Sequence, residues 1–169
     1  MTLKIADLDG ALSRRIRLDR QSGILHKTAS LLAHSADSWL WLLGLGAIFA
    51  LGNAEWRHLA LVLTAGIIVT AAAVLCLKYT FRRRRPQGDW GSLYRLTDPH
   101  SFPSGHAARG AALAVLAFWL GPSWLGPALL VWTPLVGMVR VMLGVHYVLD
   151  VLAGFVLGTL TGLLLRFFI

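Results

Sequence analysis

Uncharged apolar runs of nearly twenty residues recur along this chain and limit what it can fold into. The clearest is "LALVLTAGIIVTAAAVLCL", residues 59–77. A helix of about 20 such residues crosses the ~30 Å hydrocarbon layer of a bilayer, where every backbone polar group must be satisfied internally. With 56% hydrophobic and only 14% charged residues, too little polar sequence remains to cover a water-soluble surface. The pattern predicts an all-α, polytopic membrane helix bundle. Five spans are expected, over 38–53, 57–80, 104–121, 124–143 and 147–168.

Two parts are expected, a basic segment 1–34 and a membrane-embedded domain 35–169. In the first, Ile5, Leu8, Leu12 and Ile16 recur at helical spacing beside Arg14, Arg15, Arg17 and Arg20. That pattern suits an amphipathic helix lying in the membrane interface, or a sixth crossing if it spans. It lacks the order of a cleaved signal peptide, so the first membrane helix is expected to direct targeting. The single cysteine, Cys76, has no partner for an internal disulfide. Gly154, Gly158 and Gly162, at every fourth position of the last span, read as a surface for close helix packing.

The net charge of +8 is a membrane signature here rather than a nucleic-acid one. Fourteen of the sixteen Lys and Arg fall toward one end of the five spans; Arg57 and Arg166 fall at the other. The positive-inside rule assigns the rich end to the cytoplasm. Three cation-bearing clusters meet there. One is "KYTFRRRRP", Lys78 to Pro86, opening a long connection over 81–103; the second is "PSGH", Pro103 to His106; the third is "RVMLGVHYVLD", Arg140 to Asp150.

Polar groups at membrane depth are expensive and mark function. His146 and Asp150, four residues apart, are expected to share a helix face, the carboxylate holding Nδ1 and leaving the Nε2 lone pair free. Pro103 suits a first helical turn, so the amides of Ser104, Gly105 and His106 would offer an anion seat. Lys78, Arg85 and Arg140 supply charge and forked donors matching tetrahedral oxygens. His106 adds an imidazole able to give a proton. Together they describe a phosphoryl pocket with a histidine nucleophile.

These residues resemble the type 2 phosphatidic acid phosphatase superfamily, which also contains vanadium haloperoxidases. Its motifs K-x6-R-P, P-S-G-H and S-R-x5-H-x3-D are met in order, except that Val139 stands where serine is usual. The resemblance implies that His146 attacks phosphorus to form a phosphohistidine, with Asp150 orienting it. It implies that His106 protonates the departing oxygen and that Lys78, Arg85, Arg140, Ser104 and the Gly105 amide hold the phosphate. It implies no metal and no other cofactor.

The expected substrate is a lipid phosphate: phosphatidic acid, phosphatidylglycerol phosphate, or a polyprenyl phosphate or diphosphate. Membrane lipids are the expected partners, nucleic acid is not, and the oligomeric state is open. A small transporter leaves the His–Asp pair unexplained, and an inactive lipid-binding scaffold is separated from the enzyme by turnover. His26, His34, His58 and His100 read as structural. Arg82, Arg83 and Arg84 read as headgroup and topology charges. Asp89, Trp90, Tyr94, Arg95 and Asp98 are candidates for shaping headgroup specificity, and Arg109 either lines the pocket or snorkels.

Overall fold

The computed structural model describes residues 5–19, 23–86 and 98–169. Asp89, Trp90, Tyr94 and Arg95 lie outside the described residues, as does Arg20. The helices are α1 (Ile5–Arg15), α2 (Ile24–His34), α3 (Ser38–Leu51), α4 (Ala54–Phe81), α5 (Gly105–Leu120), α6 (Leu125–Met142) and α7 (Val148–Arg166). Among the described residues the only bridge of strand type is an isolated antiparallel one between Arg84 and His100.

Helix ends follow local chemistry. Asn53 caps α4, its side-chain oxygen accepting from Trp56 N at 3.1 Å. The same helix stops at Arg82, which takes a left-handed conformation with φ 49°. The arginine run then leaves the helix as extended chain, and Ser101 N closes back on Arg83 O at 2.8 Å. At the start of α7, Asp150 accepts from the Tyr147 amide at 2.9 Å.

The five expected spans correspond to α3–α7, but their lengths correct the count. Among the described residues α4, α6 and α7 are each long and apolar enough to cross a bilayer. α2 and α3 pass that test only together, bent by 52° at their junction. α5 is apolar but has 16 residues. Its Gly- and Ala-rich sequence is spent on close packing rather than reach, and it runs through the middle of the bundle against α4, α6 and α7. Among the described residues three helices are therefore long and apolar enough to cross, or up to four if the bent pair is one span.

The α5–α7 contact carries the site. A Cβ at Gly158 would lie 1.9 Å from Ala108 O, one at Gly154 2.6 Å from Ser104 O, and one at Gly162 3.1 Å from Ala112 O. The glycine stripe thus lets α7 lie backbone-to-backbone on α5. It ends where Ser104 N donates to Asp150 O at 2.8 Å.

The basic segment forms two helices rather than one. In α1 the apolar residues Ile5, Leu8 and Leu12, followed by Ile16, face outward, whereas Asp9, Gly10 and Ser13 are buried against the bundle. This is the reverse of a soluble amphipathic helix, and it fits a helix with lipid on its outer side. Inward, Ser13 Oγ accepts from Val148 N at 3.1 Å and Asp9 Oδ1 from Leu149 N at 3.1 Å. α1 therefore caps the first amides of α7.

Candidate active site

Three chain segments converge at one end of the bundle: the end of α4 with the arginine run, the start of α5, and the turn from α6 into α7. Lys78 is buried on the last turn of α4. Arg85 donates from Nε to Asp98 O at 2.8 Å and from Nη1 to Val145 O at 2.9 Å, which fixes its guanidinium across the α6–α7 turn. Its Nη1 also lies 3.4 Å from His146 Nε2. A guanidinium only donates, so this approach suits a neutral ring with its lone pair on Nε2.

His146 is 1% exposed. It stands in the turn before α7 rather than on the helix, its amide reaching Arg140 O at 3.3 Å. Gly144, at φ +69°, makes that turn possible. Burial, followed by the neighbouring cations Arg85, Arg140 and Lys78, holds the imidazole well below the usual histidine pKa. The ring is therefore neutral, the form a nucleophile needs.

Asp150 is fully buried, but its partners differ from expectation. Its Oδ2 lies 3.6 Å from His146 Nδ1, an ion-pair separation outside hydrogen-bond range, and it accepts from the Tyr147 amide instead. Its Oδ1 takes Arg83 Nη1 at 2.7 Å, and Arg83 Nη2 reaches Asp9 Oδ2 at 2.6 Å. Arg83, read from sequence as a headgroup charge, is thus a bridge between two buried carboxylates and also stacks over Tyr147 at 4.1 Å.

Ser104 caps α5 from outside its first turn, with its hydroxyl buried and unbonded. Its amide is taken by Asp150 O, which corrects the expected anion seat: of the three amides only those of Gly105 and His106 remain as helix-start donors. Pro103 precedes the cap rather than opening the helix. Arg140 is 1% exposed at the end of α6. Val139 lies in an apolar cluster with Ala29, Ala33, Leu143 and Val145, packing α6 on α2.

Two acidic residues complete the end of the bundle. Asp98 Oδ2 accepts from both Lys78 Nζ and Arg85 Nη2, the latter at 2.8 Å. Asp37, in the bend between α2 and α3, takes His106 Nε2 at 2.9 Å through Oδ1 and His34 Nδ1 at 3.0 Å through Oδ2. The sequence does not disclose these roles of Asp37, Arg83 and Asp9, because no motif spacing ties them to partners 67 to 140 positions away. The signal available was chemical: acidic residues are rare here, eight in 169, and each near the cationic end needs a partner. Arg109 lies with its guanidinium against Gly105, and His100 packs edge-on to Tyr79.

Residues 54–168 match a known family model, described as the PAP2 superfamily. The chain belongs to the PAP2 superfamily. It is 36% identical over 140 residues to the decaprenylphosphoryl-5-phosphoribose phosphatase of Mycobacterium tuberculosis, covering 80% of this chain and 75% of that one. An undecaprenyl-diphosphatase of Sulfolobus acidocaldarius is 32% identical over 107 residues, 61% of this chain and 52% of its own. Among solved structures, the PAP2-type phosphatidylglycerolphosphate phosphatase of Bacillus subtilis superposes with a TM-score of 0.78 at 26% identity, over 99% of this chain and 87% of that one. This PAP2 chain is accordingly a membrane lipid phosphatase, and its all-helical fold is the family's.

Proposed function

We propose that this PAP2 phosphatase hydrolyses a phosphate monoester or diphosphate at the head of a glycerolipid or polyprenyl lipid through a phosphohistidine on His146. The observation that carries this reading is the approach of His146 Nε2 to Arg85 at 3.4 Å inside a buried ring of cations. Nε2 attacks phosphorus while the bond to the lipid oxygen breaks, and that oxygen receives a proton from His106. Water then attacks phosphorus and gives a proton to His106 as the P–N bond breaks, which frees His146 Nε2 and releases inorganic phosphate.

Lys78, Arg85, Arg140, the Ser104 hydroxyl and the Gly105 amide stabilise the charge on the equatorial oxygens. No divalent ion has a part in this scheme. Asp150, clamped by Arg83, fixes the turn that carries His146. Asp37 holds Nε2 of His106, leaving its Nδ1 for the departing oxygen. Support for a polyprenyl or glycerolipid substrate comes from the named activities of the Mycobacterium tuberculosis and Bacillus subtilis relatives. The cationic end, with α1 and the arginine run, is assigned to the cytoplasmic face of the cell membrane by charge.

The test is phosphate release from a panel of lipid phosphates in detergent, with chelator present. His146→Ala should abolish release, and quenching wild-type turnover in alkaline detergent should trap an alkali-stable phosphoprotein that acid then hydrolyses. Release that survives His146→Ala would overturn the mechanism. For the face, a cysteine placed at position 98 should stay unreactive to an impermeant reagent in intact cells; labelling there would reverse the orientation.

A further inference from the structure

A cavity of about 490 Å³ opens beside the nucleophile, and the family's three motifs do not account for its far wall. It meets His146, Pro86 and Val141, the last two chain neighbours of Arg85 and Arg140. It is also lined by Arg14, at the end of α1, and Arg17, just beyond it. Two glycines make room for these guanidinium groups. A Cβ at Gly10 would lie 3.3 Å from Arg14 Nη1, and one at Gly144 would lie 2.9 Å from Arg17 Nε. Gly144 belongs to the turn that carries His146, so Arg17 lies against the nucleophile's own loop.

We propose that Arg14 and Arg17 form a second anion subsite, and that the substrate's head carries a second phosphate group besides the one removed. This rests on the lipid phosphatase reading above and narrows it to lipids in which a phosphodiester joins the lipid to the reacting monoester. Three observations separate this from a generic interfacial charge. Arg15, between them in sequence and likewise exposed, does not line the cavity. The inner face of α1 is anchored to α7 through Asp9 and Ser13, which gives the two arginines a fixed position relative to His146. The cavity is continuous from these arginines to His146, so one head group can reach both. Forked guanidinium donors suit a phosphodiester, whose charge does not titrate near neutral pH.

The test compares phosphatidic acid with phosphatidylglycerol phosphate of the same acyl chains, in neutral detergent micelles. Arg14→Gln/Arg17→Gln should lose roughly tenfold in kcat/KM on the phosphodiester-bearing lipid and little on phosphatidic acid. Arg15→Gln, removing charge outside the cavity, should leave the ratio unchanged. An equal loss on both lipids, or the same change of ratio in Arg15→Gln, would overturn the subsite. If added phosphatidylglycerol stimulates phosphatidic acid hydrolysis and the double variant abolishes only that, the arginines hold a neighbouring lipid and the proposal fails.

Binding of both lipids to His146→Ala, with and without the arginine changes, gives the same ratio without turnover. A ratio unaffected by the arginines there also overturns the subsite. Absence of phosphate release from every lipid by the wild-type protein counts against the phosphatase reading instead.

Discussion

His106 Nε2 lies 2.9 Å from Asp37 Oδ1, across 69 residues of sequence, and the other Asp37 oxygen meets the half-exposed His34 at 3.0 Å. A carboxylate only accepts, so both rings carry a proton on the nitrogen facing it. The pair fixes the ring's orientation and, in the proposed mechanism, would balance the charge of His106 when it is protonated to serve the leaving oxygen.

Asp37→Asn should therefore lower kcat by about 10²-fold with KM little changed, the range for an impaired general acid. The defect should shrink for a substrate such as p-nitrophenyl phosphate, whose leaving group needs no proton. A defect of equal size on both substrates would show that Asp37 acts only on folding or binding.

His146 supplies a pH prediction. Its folded pKa is depressed, while an unfolded histidine titrates near 6.5. Below about pH 6.5 the unfolded chain gains a proton that the folded ring refuses, so stability is complete above that value and falls as pH drops toward the folded pKa. Between pH 7 and pH 5 the wild-type melting temperature should fall more than that of His146→Gln. The acid limb of kcat/KM should likewise show no loss of nucleophile at an ordinary imidazole pKa. Equal acid sensitivity in the two proteins would remove the depressed histidine from the account.

Arg83 bridges two carboxylates that are almost wholly buried, Asp9 at 1% and Asp150 at 0% side-chain exposure. Removing one partner from such an arrangement costs about 3 kcal/mol, because the charge left behind has lost its solvent. Arg83→Ala should lower the melting temperature markedly and abolish turnover, and Asp9→Asn should cost less in both. If Arg83→Ala melts normally, the bridge contributes nothing to the fold.

Much of this end of the bundle was legible in sequence, and the boundary has a physical basis. Lys78, Arg85, Ser104, His106, Arg140, His146 and Asp150 stand at fixed spacings on three segments, and spacing is what sequence displays. Glycines at 154, 158 and 162 predicted the packing that joins two of those segments. Asp37, Asp9 and Arg83 could not be found that way, since each owes its role to a partner brought near by the fold. The span count erred for a related reason. α5 is apolar but has 16 residues, fewer than a full span needs, and hydropathy along the sequence does not show where a helix ends. Val139, which stands where serine is usual, has apolar neighbours in space.

Asp98 places a carboxylate oxygen between Lys78 and Arg85, both expected phosphate ligands. An incoming phosphate oxygen needs the same donors, so the two anions compete for one position. Asp98→Asn should tighten inhibition by inorganic phosphate or vanadate several-fold, since the amide holds the cations less strongly than a charge does. Unchanged or weaker inhibition would mean that Asp98 organises the cations rather than competing for them.

The α5–α7 seam gives the sharpest contrast between structure and chemistry. A Cβ at Gly158 would meet Ala108 O at 1.9 Å, against backbone that cannot rotate away, whereas one at Gly44 has nothing within 4 Å. Gly158→Ala must push α7 off α5, at a cost of about 1–3 kcal/mol or more. The displacement would draw Asp150 O away from Ser104 N, the bond that joins the second and third clusters. Gly158→Ala should therefore lose both thermal stability and phosphate release without touching a reacting atom, and Gly44→Ala should keep both. Full activity in Gly158→Ala would show that the contact between the two helices does not set the geometry of the site.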